Sequence, residues 1–368
     1  MLNVSLLSMP RGRWLRCADA FDVVRLVRRM RLLVTGGAGY IGSVVAAQLL
    51  QGGHQVTVLD DLSTGHLDAV PARAGFVRGR LHEAAAEVLG GGGYDGVLHF
   101  AARSLVGESV RDPAGYWENN LVGALRLLTA MRDAGVPRLV FSSTAATYGE
   151  PAVSPITEDT PTSPINPYGH SKLAVDHLLA GWAPAYGLAA TSLRYFNVGG
   201  AYAGLGERHD PETHLIPNVL AVPRGQRDAV EVYGTDYPTR DGTAVRDYLH
   251  VADLGRAHLL ALAAAQPGQP GQPGHRVYNL GSGTGYTVRE VLDACRRVTG
   301  HPIPAIDRPR RPGDPTTLVA SSERIAAELG WRPEFGLDRI VADAWEFLGG
   351  AAGQPGGASR GRAGDGGR

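Results

Sequence analysis

Lysine is almost missing from this chain. Of its 36 basic residues, 35 are arginine, and Lys172 is the only lysine. Cysteine is scarce too: Cys17 and Cys295 stand far apart with no C-x-x-C, which argues against a disulfide framework or a thiolate metal centre. The twelve histidines show no H-E-x-x-H or similar ligand spacing, so no metal site is expected. Formal net charge is zero, which implies neither a nucleic-acid surface nor attraction to an anionic membrane. No apolar run reaches the ~18 residues of a membrane span. A reducing, cytoplasmic setting is the expectation.

The retained lysine lies in Asn166-Pro167-Tyr168-Gly169-His170-Ser171-Lys172. On a helix, Tyr168 and Lys172 share a face one turn apart. A phenol is a weak base near neutrality, its reference pKa being about 10. An ammonium ~4–5 Å away favours the phenolate by roughly 3–4 kcal/mol at an effective dielectric near 20. Arginine cannot replace a compact ammonium with three rotatable donors. Lys172 therefore reads as chemically required, and Tyr168 as a general base for an alcohol.

Glycine, by contrast, is plentiful at 50 of 368 residues, and three glycines are placed with purpose. The apolar run 31–35 reads as a buried parallel strand, and a helical pattern follows from Ser43. Between them, Gly36, Gly39 and Gly42 form G-x-x-G-x-x-G, which lets a pyrophosphate approach the helix N-terminus. A second strand at 55–59 runs into Asp60, whose carboxylate suits both hydroxyls of an adenosine ribose and repels a 2′-phosphate. NAD is thus the expected cofactor, rather than NADP.

Further strands are expected at 75–77, 96–100, 138–142 and 190–194, with helices at 81–89, 116–134 and 167–186. That alternation predicts an α/β fold, a doubly wound Rossmann-type parallel sheet. The strand ends Phe100-Ala101-Ala102 and Ser142-Ser143-Thr144 then converge on Tyr168, and the Thr144 hydroxyl is placed to hold the reacting oxygen. Beyond Asn197 the alternation weakens, predicting a smaller mixed α/β substrate-binding domain. Its expected elements are helices at 215–222, 253–264, 288–299, 321–329 and 337–348, and strands at 230–233 and 277–280. The expected division is a disordered extension over 1–29, dispensable for activity, a cofactor domain over 30–197, a substrate domain over 198–348 and a disordered tail over 349–368. Residues 245–265 are expected to pack back on the cofactor domain, and the Gln-Pro-Gly repeat within 266–274 to form a surface loop. Arg246 and Arg311 suit phosphate oxygens.

Thr35–Gly42, Asn166–Lys172, Tyr233–Thr243, Val245–Val251 and Arg310–Asp314 resemble the UDP-glucose 4-epimerases of the extended short-chain dehydrogenase/reductase superfamily. The resemblance spans about residues 30 to 348, and the 233–251 segment is its most specific part. It implies a cytoplasmic, homodimeric isomerase of galactose metabolism, interconverting UDP-galactose and UDP-glucose through a 4-keto intermediate with tightly bound NAD. It implies that Tyr168, Lys172 and Thr144 are catalytic. Gly36, Gly39, Tyr40, Ile41, Gly42, Asp60, Leu81, Phe100, Ala101, Ala102, Asn119, Tyr168, Lys172 and Phe196 would line the cofactor, Lys172 binding its nicotinamide ribose. Thr144, Asn197, Leu215, Tyr233, Arg246, Arg311 and Asp314 would hold the nucleotide sugar, and Leu318 would set how large a sugar fits. Three positions depart from the usual pattern: Arg80 replaces an acid, Ser104 replaces a lysine next to Arg103, and Leu318 is intermediate in size.

Three other functions compete for the same residues. A 4,6-dehydratase needs an acid–base pair beside the strand-end hydroxyl, whereas Ala145 and Ala146 follow Thr144. Another nucleotide-sugar epimerase, acting on N-acetylated or uronate sugars, remains open. A non-catalytic NAD-binding sensor has no need of the Tyr-Lys pair.

Overall fold

The structure, a computed structural model, describes residues 29–268, 274–311 and 313–350. Most of the expected 1–29 extension, the 349–368 tail and part of the 266–274 loop lie outside the described residues. Seven strands form one parallel sheet: β1 (Arg31–Thr35), β2 (Gln55–Asp60), β3 (Gly75–Arg78), β4 (Gly96–His99), β5 (Arg138–Thr144), β6 (Ala189–Tyr195) and β7 (His275–Leu280). Their spatial order is β3-β2-β1-β4-β5-β6-β7, with the direction of winding reversing at β1. Each matches an expected strand to within two residues at either end.

The continuous apolar runs make strands because both faces of the sheet are covered. Leu32, Val34, Val56 and Val58 point to one face, where they pack with α1 (Tyr40–Gln51) and, later in the chain, the helix Val251–Ala264. Leu33, Leu59, Val97, Leu139 and Phe141 point to the other, against α2 (Leu81–Gly90), α3 (Gly123–Asp133) and α4 (Pro167–Tyr186). The helix Val251–Ala264, called α5 below, buries Leu254, Ala257 and Leu262 in that first core, so this segment does return to the sheet. So does β7, which pairs with β6 along its whole length.

One expected element differs. The helix foreseen over 116–134 starts earlier, at Pro113, because Asp112 caps it by accepting the Gly115 N–H at 3.1 Å. It then widens into a π turn at Trp117–Val122 before α3. The extra residue in that turn turns Asn120 toward Arg103, whose backbone N–H donates to Asn120 Oδ1 at 2.9 Å.

The second lobe has its own core of Ile216, Val219, Val232, Leu292, Cys295, Ile340 and Val341. The strand Val230–Tyr233 runs parallel to Ala305–Arg308, and Tyr248–His250 runs parallel to Asn197–Gly199. The pair Val245–Arg246 lies between Tyr286–Thr287 and Thr317–Leu318. Ladders this short carry no readable period, which is why several of these strands are invisible in sequence. The helix Val288–Thr299, by contrast, is announced by a complete capping box between Thr287 and Glu290.

Candidate active site

At the carboxyl end of β1 the chain turns through Gly36, whose φ is +73°. A Cβ there would stand 2.5 Å from the Ala101 nitrogen, so only glycine lets this turn seat against the end of β4. A Cβ on Gly42 would collide with the Gly36 carbonyl oxygen. α1 then begins with Gly39 at its cap and no side chain on its first N–H groups, which leaves that end suited to a pyrophosphate. Asp60 ends β2 beside it. Its Oδ2 accepts the Ala38 N–H at 3.0 Å and its Oδ1 the Leu62 N–H at 2.9 Å. Each oxygen keeps a lone pair for a ribose hydroxyl. Burial raises this carboxyl above its ordinary pKa, opposed by those two backbone donors. The bare turn, the open helix end and the acid together fit NAD.

α4 supplies the reactive pair. Asn166 caps it, accepting the Gly169 N–H at 2.9 Å, and Pro167 occupies its first turn. A Cβ on Gly169 would stand 2.5 Å from the Ala146 oxygen, so the start of the helix lies directly on the turn that follows β5. That contact brings the Tyr168 hydroxyl close enough to the Thr144 hydroxyl for the threonine to favour its ionised form. Lys172, only 2% exposed, donates from Nζ to the Ser142 carbonyl at 2.8 Å and lies 4.8 Å from the centre of the Phe141 ring.

Burial drives the lysine down to about 7, with Asp176 opposing the shift. Burial also raises the Tyr168 hydroxyl, with the Thr144 hydroxyl opposing. The net depression expected for the phenol is therefore not what this arrangement produces: desolvation outweighs the help it receives.

Several neighbours had no sequence signal. The Ser142 hydroxyl is hydrogen-bonded to that of Tyr195. Asn120 Nδ2 donates to Ser171 Oγ at 3.0 Å, and Ser171 Oγ donates to the Tyr168 carbonyl at 2.8 Å, so the π turn braces the first turn of α4. Tyr116 meets the Tyr168 ring edge-on at 6.4 Å. Thr35 and His99 share a buried hydrogen bond of 2.7 Å under the site. Long-range pairs of this kind leave no local pattern to read.

The other expected cofactor residues are distributed around the same edge. Ile41 is in the first turn of α1, while Leu81 opens α2 and packs toward Gly123. Phe100, Ala101 and Ala102 continue β4, with the Phe100 ring 4.8 Å from that of His258. Asn119 lies in the π turn and donates to Asn120 Oδ1 at 3.0 Å, and Phe196 follows β6. The Tyr40 hydroxyl donates to the Gly200 carbonyl at 2.6 Å, tying the glycine turn to the second lobe. Arg103 is engaged by Glu108 and Asp112, each at 2.6 Å, and so is committed to its own loop.

In the second lobe, Arg246 forms an ion pair with Asp314, uniting two expected residues. The Arg311 guanidinium lies 3.8 Å from the centre of the Tyr233 ring, uniting two more. Leu318 sits opposite Arg246 in the short ladder, Asn197 pairs with Tyr248, and Leu215 opens the helix Leu215–Leu220. Among the described residues no helix is long and apolar enough to cross a membrane.

A model of the NAD dependent epimerase/dehydratase family matches residues 32–281. A UDP-glucose 4-epimerase of Corynebacterium glutamicum is 59% identical over 319 residues, covering 86% of this chain and 95% of that protein. The crystal structure of a UDP-glucose 4-epimerase from Brucella ovis in complex with NAD superposes with a TM-score of 0.83 at 44% identity, covering 88% of this chain and 99% of the other. That of a UDP-glucose 4-epimerase from Bifidobacterium longum in complex with NAD+ and UDP gives a TM-score of 0.80 at 38% identity, covering 87% and 98%. With its glycine turn, its acid at the end of β2 and a family match over most of its length, this chain belongs to the NAD dependent epimerase/dehydratase family.

Proposed function

We propose that this chain is a UDP-glucose 4-epimerase, an NAD-dependent isomerase that interconverts UDP-galactose and UDP-glucose through a 4-keto sugar. The observation that carries the chemistry is the meeting of the Tyr168 and Thr144 hydroxyls at the strand ends, on a helix that buries the only lysine. Bound NAD supplies a reversible hydride acceptor, regenerated in each turnover. Thr144 orients the sugar 4-hydroxyl and Tyr168 removes its proton. Lys172, one helical turn away, favours the phenolate form of Tyr168 that accepts this proton. The same tyrosine returns the proton after the keto sugar has presented its other face.

Asp60 selects the ribose hydroxyls, and the open N-terminus of α1 carries the cofactor pyrophosphate. Arg246, Arg311 and Asp314 gather around the UDP group, with Tyr233, Asn197 and Leu215 completing its pocket. Their existing pairings hold the guanidinium planes in place before the phosphates arrive. Leu318, smaller than an aromatic, leaves room for weak turnover of N-acetylated sugars. We further propose a homodimer joined through the helices on the α3 side, where Trp117, Val122 and Leu125 are exposed. We place it in the cytoplasm, where nicotinamide and nucleotide-sugar pools meet and the buried thiol of Cys295 stays free.

The test is direct: purified protein is given UDP-galactose with no added cofactor, and UDP-glucose is sought by chromatography. Conversion is expected. Absence of conversion even with NAD supplied would overturn the assignment.

A further inference from the structure

Beside Tyr40 of the glycine turn, the loop leading into the helix Leu215–Leu220 draws together Glu207, His209, Glu212 and His214. One ligand atom from each lies within 4.8 Å of the others. His214 Nδ1 stands 2.9 Å from Glu207 Oε1 and 2.8 Å from Glu212 Oε1, while His209 Nδ1 stands 3.1 Å from the same Glu207 oxygen. We propose that these four side chains form a binding site for one divalent cation of the zinc class.

One imidazole nitrogen in this cluster is shared between two carboxylates. A single N–H points along one line, yet His214 Nδ1 faces two carboxylate oxygens at nearly equal range. A cation at the centre meets every one of these atoms at once. The spacing admits it: metal–ligand bonds of about 2.0–2.1 Å in a tetrahedron place the ligand atoms about 3.3 Å apart, within the range of 2.8 Å to 4.8 Å spanned here. Charge suits it as well. The Glu207 side chain is only 9% exposed, and two carboxylates with two neutral imidazoles exactly offset a 2+ ion. Two imidazole nitrogens select zinc, cobalt or nickel over magnesium or calcium, which prefer all-oxygen shells.

The surroundings show what the ion would do. Arg208, inside the cluster's sequence, reaches Asp68 at 2.8 and 2.9 Å, and its carbonyl lies 3.0 Å from His66 Nε2. Asn218 Nδ2 donates to the His214 carbonyl at 2.9 Å. A cation here therefore fastens the 207–214 loop between the segment after Asp60 and the first helix of the second lobe. The role is structural and does not depend on which reaction the enzyme catalyses.

The experiment uses the full chain without an affinity tag, dialysed against chelator and titrated with Co2+. We expect one equivalent bound per chain, with the intense visible bands of tetrahedral cobalt, displaced by Zn2+. Saturating Zn2+ should raise the melting temperature by roughly 5 °C. His209→Asn and Glu212→Gln, close in shape to the originals and checked for fold by circular dichroism, should each weaken uptake at least tenfold. Uptake well below one equivalent in the unaltered chain overturns the proposal, as does uptake that neither variant changes. The cluster would then be a hydrogen-bonded His–Glu network only.

Discussion

The two lobes build their binding surfaces in opposite ways. Around the parallel sheet, the proposed cofactor site is built largely of backbone: a glycine turn at φ +73°, an uncapped helix start and one acid at a strand end. In the second lobe the proposed nucleotide-sugar site is built of side chains drawn from far apart in the chain, such as Arg246 with Asp314 and Arg311 with Tyr233. A backbone site tolerates almost no change at its glycines, yet it can be recognised from spacing alone. A side-chain site needs the whole lobe folded before it exists, and it can be retuned one residue at a time.

This contrast can be broken most sharply at the reactive pair. Tyr168→Phe keeps the ring and its edge-on contact with Tyr116 but removes the proton acceptor. Turnover is expected to fall about 10³-fold while NAD stays bound, read by initial rates and by cofactor released on denaturation. A variant within tenfold of the normal rate would remove Tyr168 from its role. Next in size is Gly36→Ala. The left-handed backbone alone costs about 1–2 kcal/mol, and the added methyl meets Ala101. Cofactor content should drop to a small fraction of one per chain; full occupancy would show that the turn is not a cofactor cradle.

On the side-chain lobe the effects should be graded. Arg246→Ala is expected to raise KM for the UDP-sugar by roughly 10- to 100-fold with cofactor content unchanged, since a charge-assisted contact is worth about 1.5–3 kcal/mol. A matching loss of NAD would erase the distinction between the lobes. Leu318→Trp should change the least: turnover of UDP-N-acetylgalactosamine falls further than that of UDP-galactose. Equal effects on both substrates would remove residue 318 from the sugar pocket.

Acid probes the sheet lobe separately. Burial holds His99 down at about 3 and His258 at about 4, against about 6.5 in the unfolded chain. Between those values the unfolded state binds protons that the folded state refuses, so stability is full above pH 6.5 and is lost as pH falls below it. Each histidine can contribute a slope of up to about 1.4 kcal/mol per pH unit. Denaturant midpoints at pH 7 and pH 5 should therefore separate more in the unaltered chain than in His99→Asn.

What could be read in advance follows the same division. The seven sheet strands, the glycine turn, Asp60 and the Tyr168–Lys172 helix all carry local signals: an apolar run, a fixed spacing, a cap. The brace from Asn120 to Ser171 was not legible, because a π turn sets it and no composition marks one. Nor was the sign of the Tyr168 shift, since spacing reveals a neighbouring charge but not how deeply the pair is buried. The carboxylates and imidazoles of 207–214 carry no signal in sequence, because E-x-H-x-x-E-x-H has no regular helical or strand period and a loop brings its side chains together.

The last strand of the sheet, β7, is drawn from residues 275–280, after much of the second lobe has already been laid down. During synthesis, the edge of β6 must therefore wait for residue 280 to emerge before it can be covered. A chain stopped anywhere between 198 and 274 is therefore expected to leave the β6 edge uncovered and open to aggregation.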